Sequence, residues 1–388
     1  MKVLIIGAGI AGTTLAIALH KAGIKAEIFE AYSQSADGVG AWLTVAVNGL
    51  RALQTIDVDV SKLGGFQTPR MMLHLASGKR LATLSMGEAG GLTTISIRRA
   101  DLYASLRDEA LRRGIPITYG KRLVAAGSDS RGLTTAEFSD GTRIQADLIV
   151  GADGLKSALR TIIDPAAPKA RYVGLLNTGG FASGIKVPGD TGVMQMFFGN
   201  KSFFCYMPAP DGRVWWFANP ALAKEADAKA PADWKQRLLE LFAGEVFPAV
   251  DVIRASDTVL PPWPTYDIPH VPQWHRDNMI LIGDAAHATS PSSGQGASMA
   301  FEDAVTLALC LRDAPSIEDA FTSYEAQRRE RVEKTVAWGK RSGDGKTPQG
   351  FGRIIRDLAL RLFLPMLERQ GKSNPMAWLF DYKIEWRD

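Results

Sequence analysis

The sequence predicts an α/β fold in which a mostly parallel sheet, layered with helices, is interrupted by a mainly antiparallel sheet and followed by C-terminal helices. Three observations carry this prediction. The chain opens on a short apolar run, a glycine turn, a helical stretch and a second apolar run. From about Tyr172 to Leu260 the hydrophobic period drops to two. Near Asn278 a short buried strand returns and a long helix follows it.

The elements follow in order. Lys2 to Ile6 reads as a buried strand, Gly7 to Gly12 as a turn, Ala11 to Ala22 as a helix closed by Gly23, and Ala26 to Glu30 as a second strand. A right-handed crossover between parallel strands places the first turn at the carboxyl edge of the sheet, where ligands bind. Arg99 to Arg113 reads as a helix, and Asp147 to Val150 as a strand ending in GADG. Alternation in SFFCYMPAP and RVWWFANP, separated by the turn Pro210 to Gly212, marks the inserted sheet. Asn278 to Ile282 is again a buried strand, followed by GDAAH, a Ser/Gly loop and a helix from Gly296 to Arg312. The expected division is therefore a discontinuous first domain over 1–70, 96–171 and 265–340, a sheet domain over 71–95 and 172–264, and a C-terminal helical segment over 341–388. Within that segment Ser342 to Gly352 reads as a loop. The amphipathic stretch from Phe351 to Gln370 reads as packing on the body rather than on a membrane surface.

Bulk properties narrow the function. A chain of 388 residues, 46% apolar, can bury a large core in two or three lobes. The net charge of +4 comes from 45 basic and 41 acidic residues without a basic stripe, which argues against a dedicated nucleic-acid binder and for a small-molecule partner. Cys205 and Cys310 are the two cysteines, too few for a disulfide framework or a thiolate cluster, and a cytoplasmic location is expected. His20, His74, His270 and His275 lack metal-ligand spacing, so no metal is expected. The apolar N-terminus mimics a signal peptide, but its glycines have a better explanation as a nucleotide turn. No segment reaches the roughly 18 uninterrupted apolar residues of a membrane span. GDGKT at Gly343 to Thr347 is not a P-loop, because Lys340 stands where the motif needs glycine and no strand precedes it. Composition leaves open whether the protein is a monomer or a dimer.

Gly7, Gly9 and Gly12 satisfy GxGxxG between a strand and a helix, the context in which the motif has a mechanism. The first glycine permits the tight turn, the second lets backbone approach a pyrophosphate, and the third lets helix and strand pack. Ile10 and Ala11 then begin a helix whose unpaired N–H groups suit phosphate. Glu30, at the end of the second strand, is placed to accept hydrogen bonds from an adenosine ribose and would repel a 2′-phosphate. The turn therefore favours FAD or NAD over NADP.

GADGLKSALR, with Asp153, and LIGDAAHATSPSSGQGASMAFEDA, with Asp284, each place an acidic-glycine pair at the end of an apolar strand. With the N-terminal turn, these resemble the signatures of the class A flavoprotein monooxygenases, the family of para-hydroxybenzoate, salicylate and urate hydroxylases, over nearly the whole chain. The resemblance implies a Rossmann-like FAD-binding domain of the GR2 type, bound FAD, and NADPH or NADH as transient reductant. It further implies an FAD-dependent monooxygenase that uses O2 to hydroxylate an aromatic or enol-like small molecule through a flavin C4a-hydroperoxide. Asp284 then matches the residue that hydrogen-bonds FAD hydroxyls. The loop Pro291 to Gly296, with Gly294, Gln295, Gly296 and Ala297, supports the reduced flavin, Arg99 in RADLYASL lies by the cofactor, and Asp153 sits near both nucleotides.

An electrophilic oxygen transfer asks for an apolar, water-excluding pocket. The inserted sheet offers Phe203, Cys205 and Met207 on one face, Phe204 and Tyr206 on the other, and Trp215 and Phe217 nearby, with Pro291 from the loop. No catalytic base is identified. A flavin-dependent dehydrogenase or oxidase, and a non-catalytic flavin-binding sensor, are the competing readings.

Overall fold

The computed structural model describes residues 1–34, 41–130, 132–225, 233–347, 350–369 and 376–387. A six-stranded sheet runs in the order Ile117–Thr118, Lys25–Phe29, Lys2–Ile6, Leu148–Gly151, Met279–Leu281 and His275–Arg276. All its neighbours are parallel except the last pair. Val3, Leu4, Ile5, Leu148, Ile149 and Ile280 are wholly buried because helices cover the strands, which is why these segments read as unbroken apolar runs. Ile10–Lys21 and Gly296–Asp313 pack on one another beside the central strands. The strands lie within a residue or so of their expected bounds. The second stops at Phe29, so Glu30 stands just beyond the carboxyl edge.

An eight-stranded sheet follows the order Ser256–Val259, Arg171–Ala182, Val214–Pro220, Ser202–Pro208, Val193–Phe198, Arg70–Leu75 and Arg80–Ser85, with Trp263–Asp267 also pairing with Arg171–Ala182. It is antiparallel except where Val193–Phe198 runs parallel to Arg70–Leu75. On one of its faces Phe204, Tyr206 and Trp216 pack with Leu238, Phe242 and Val252 of the helical segments 234–254. On the other, Phe203, Cys205, Met207 and Trp215 pack with Met86 and Met194, and with Trp42 and Phe66 from outside the sheet. Trp42 belongs to the strand Trp42–Val45, which pairs with Ile95–Arg98 just before the helix Arg99–Arg112.

The C-terminal region differs from expectation in one respect. The helix Ile317–Asp344 continues into the stretch read as a loop. Gly343 does not break it: a Cβ there would lie 3.4 Å from both Leu175 and Ser292, so the glycine serves close packing. The helix Phe351–Arg369 sets Leu360 and Leu364 against Leu73, Leu75 and Leu81, while Ile354, Leu358, Leu362 and Phe363 face solvent. Its expected end at Gln370 lies outside the described residues.

A buried polar network ties these parts together. Arg328 bonds Glu302 at 2.7 Å and Asp303 at 2.8 Å, Arg331 bonds Glu302 at 2.8 Å, and Asn48 bonds Glu302 at 2.7 Å. Asp303 also accepts from the Gly283 N–H at 2.9 Å and pairs with His287, so it holds the GDAAH turn in place. His287 is thus a satisfied structural histidine.

Candidate active site

The glycine turn divides its work among three residues. Gly7 has φ of +105°, and a Cβ there would stand 2.5 Å from the Ala152 carbonyl oxygen. A Cβ on Gly12 would meet the Gly7 carbonyl at 2.0 Å. Gly9 is different: its φ of −72° suits any residue, and a Cβ there would approach only Tyr103, whose hydroxyl is 3.8 Å away. The first and third glycines are therefore demanded by the fold, whereas the second keeps space open in front of a helix N-terminus. That helix has no side-chain cap and no acidic residue in its first turn, leaving its N–H groups and the positive end of its dipole free for an anion. Glu30 borders the same space, accepting from Ala8 N at 2.8 Å and Tyr32 N at 3.0 Å with lone pairs to spare.

The other two motifs close on this turn. Ala152 and Asp153 of GADG touch Gly7, and Gly283 of GDAAH, at φ of +59°, is so close to the first helix that a Cβ would lie 2.9 Å from that of Ala11. Asp153 caps the helix Ala158–Ile163 through Oδ2, accepting from Ala158 N and Leu159 N, while its Oδ1 is buried with no hydrogen-bond partner among the described residues. Burial pushes its carboxyl above the usual range, against those hydrogen bonds. Asp284 is exposed at this edge, between the buried Gly283 and Ala285. Desolvation raises its carboxyl, opposed by His287 and Arg99. Both arginines are exposed, but Arg99 bonds the Tyr103 hydroxyl at 3.1 Å on the side of Asp284, while Arg98 pairs with Asp101 at 2.6 Å. Gly9, Tyr103, Arg99 and Asp284 are thus neighbours at the carboxyl edge of the parallel sheet.

Beyond Asp284, Pro291–Ser293 forms a single 3-10 turn ended by Gly294 at φ of +63°. Gln295 is buried and fixed by Asn48 at 3.1 Å, and Gly296 and Ala297 open the long helix, their N–H groups unpaired by helical geometry. A Cβ on Gly294 would lie 3.7 Å from the Thr44 hydroxyl. Two residues earlier on the same strand, the Trp42 ring lies 5.5 Å from Phe217 and 5.9 Å from Trp215. The strand Trp42–Val45 therefore joins the flavin-type loop to the aromatic face of the second sheet. That face carries Phe203, Cys205, Trp215 and Phe217 together, whereas Pro291 is exposed and is not among the residues packed on it. Tyr206 does not join them. Strand alternation turns it to the opposite face, where it stacks on Phe197 at 5.7 Å and donates to the Pro188 carbonyl, away from the other residues expected beside it. Sequence reasoning passed over Trp42, Thr44, Tyr103, Asn219 and Lys346, which only tertiary contact brings here.

An uncapped helix N-terminus, a cradle a side chain would fill, carboxylates at two further strand ends and an N–H-rich loop together fit an elongated dinucleotide. The model of the FAD binding domain family matches residues 1–339. The chain belongs to this family, and within it to the class A FAD-dependent monooxygenases. The FAD-dependent urate hydroxylase of Klebsiella pneumoniae is 32% identical over 360 residues, covering 89% of this chain and 90% of its own. The aurachin C monooxygenase/isomerase of Stigmatella aurantiaca is 30% identical, covering 93% and 94%. The crystal structure of K. pneumoniae HpxO complexed with FAD and uric acid superposes with a TM-score of 0.83 at 28% identity, covering 98% of this chain and 97% of that one. This monooxygenase uses FAD with a nicotinamide reductant and acts on a small molecule, and none of its described helices is long and apolar enough to cross a membrane.

Proposed function

We propose that the parallel sheet and its helices hold FAD along the cleft from Gly9 to Ala297, and that the eight-stranded sheet presents the substrate to it. The division proposed is 1–70, 96–171 and 265–340 for the cofactor and 71–95 and 172–264 for the substrate sheet. Glu30 meets the adenosine ribose, the first helix the pyrophosphate, Asp284 and Arg99 the middle of the cofactor. The N–H groups from Gly294 to Ala297 face the isoalloxazine, where they favour negative charge. FAD, when bound, supplies electron transfer from NAD(P)H and activation of O2. The chain's own residues orient the two partners and keep water out: Trp42, Phe203, Trp215 and Phe217 make the wall an aromatic or enol-like ring packs on, with an oxidisable carbon held toward the loop.

The observation that carries this reading is the strand Trp42–Val45, whose two ends touch the loop and the aromatic wall. The test uses the purified FAD-loaded chain, screening urate, salicylate and hydroxyquinolines for stimulation of NADH or NADPH oxidation. Isotopically labelled dioxygen should place one labelled oxygen in the product. A turned-over compound whose product carries no label would make the enzyme a dehydrogenase or oxidase instead.

A further inference from the structure

Lys346, the lysine of the GDGKT stretch set aside above as a P-loop, lies in the turn after the long helix Ile317–Asp344. Gly339 and Gly343 press that helix on the Ser290–Ser293 loop, and Lys346 N bonds back to the Gly343 carbonyl. From there the side chain reaches the aromatic wall, with Nζ 4.5 Å from the Phe203 ring centre and 5.5 Å from that of Phe217. It donates to Asn219 Oδ1 at 2.7 Å. Asn219 is itself fixed, its Nδ2 donating to Asn177 Oδ1 at 3.1 Å and to the Leu176 carbonyl at 3.4 Å. Its oxygen is thus turned to the lysine by structure rather than by chance.

Among the described residues no carboxylate pairs with this ammonium. The ionisable neighbour acting on it is the Cys205 thiol, which burial keeps protonated. Desolvation pulls Lys346 down to about 8. An ammonium has three donors, and Asn219 takes one. Ring faces offset part of the cost of enclosing the charge, but a desolvated cation is far better satisfied by an anion. The remaining donors sit over the wall on which a substrate ring packs.

We propose that Lys346 binds an ionised phenol or enol oxygen of the substrate, so that this enzyme takes its substrate as the anion. The inference deepens the function proposed above and rests on it. Ionisation at that oxygen raises electron density on the conjugated carbon that is to be hydroxylated, with the proton released to solvent. The lysine holds the charge without quenching it, since an ammonium hydrogen bond leaves the oxygen deprotonated.

The test uses the FAD-loaded full chain and 4-nitrophenol, which ionises near neutral pH, with 4-nitroanisole and 4-nitrobenzoate as comparators, read by perturbation of the flavin spectrum. The phenolate should bind, with affinity rising as the phenol ionises and falling as Lys346 discharges near pH 8. Lys346→Met should weaken it by about tenfold or more and remove the upper limb of the profile, and Lys346→Arg should restore part of the affinity. Asn219→Asp, which gives the lysine an internal counter-ion, should weaken phenolate binding in a chain that retains the lysine's packing. Binding by Lys346→Met within about twofold of the parent, equal binding of the methyl ether, or no flavin perturbation at all would overturn the proposal. A preference for the benzoate would reassign the ligand as a carboxylate and overturn it too. FAD content and substrate-free NADH oxidation are measured in parallel. Their failure in the parent chain strikes the flavin reading, whereas their persistence without a phenolate preference strikes this inference alone.

Discussion

Two glycines of one motif are built for different ends. Gly12 faces a carbonyl oxygen at a distance no Cβ tolerates, whereas Gly9 faces open space with ordinary backbone angles. Gly12→Ala is therefore expected to cost about 1–3 kcal/mol or more by overpacking, lowering the melting temperature of the FAD-free chain. Gly9→Val should leave that melting temperature within a degree or two of the parent, as roughly ±0.5 kcal/mol would give, yet abolish FAD binding by filling the cradle. Calorimetry of both apoproteins with a flavin titration checks the pair, and a Gly9→Val chain with normal FAD affinity would remove the pyrophosphate from this turn. The same residue-scale reading separates Arg99 from Arg98. Nothing in the doubled arginine before ADLYASL says which one faces the cofactor edge, but the first helical residue is carried toward Tyr103 while its neighbour is drawn away by Asp101.

Elements were more legible than their joins. The parallel strands and the helices after them are dictated by apolar runs and glycine punctuation, so their positions follow from local pattern. The polar network behind the GDAAH turn is not written in any motif, because Asn48, Glu302, Asp303, Arg328 and Arg331 are ordinary helix residues until three helices meet. Its electrostatics set an acid limit. Burial alone would raise the Asp303 carboxyl, but His287 and Arg328 outweigh burial and hold it at about 2. An unfolded aspartate titrates near ~3.9. The folded value is the lower, so the carboxylate stabilises the fold above about pH 4, and that contribution drains away as pH falls toward about 2, on the order of 2 kcal/mol in all. Asp303→Asn should be less stable than the parent at pH 6, by roughly 3–5 kcal/mol for a broken buried pair. It should also lose less stability between about pH 4 and 2, a difference that urea unfolding at several pH values measures. Parallel slopes in parent and variant would show that Asp303 is not the group that titrates.

At the scale of the molecule, function depends on how two sheets face each other, and that was the part hidden from the sequence. Period-two alternation assigns Phe203 and Cys205 to one face and Tyr206 to the other, but which face meets the cofactor edge depends on what lies outside the sheet. The helical segments 234–254 cover Tyr206, and Trp42, from a strand some 160 positions earlier by the numbering, covers Phe203's side. Trp42 is a mechanical link as well as a wall. Its indole Nε1 donates to the Trp216 carbonyl at 3.4 Å, its ring packs on Phe217, and Thr44 of its strand lies against Gly294. Trp42→Ala removes the ring but keeps the strand, so the dinucleotide turn at Gly9, Glu30 and Asp284 is untouched. FAD affinity should then stay within about threefold of the parent, and NAD(P)H oxidation should continue. A substrate ring that is no longer held, in a pocket that admits water, should shift consumption from product toward hydrogen peroxide by about tenfold, the effect of roughly 1.4 kcal/mol of lost positioning. The ratio of product formed to NAD(P)H consumed, with peroxide counted separately, reads this directly. A Trp42→Ala enzyme that couples as tightly as its parent would mean that the aromatic wall and the flavin loop do not share one reaction space.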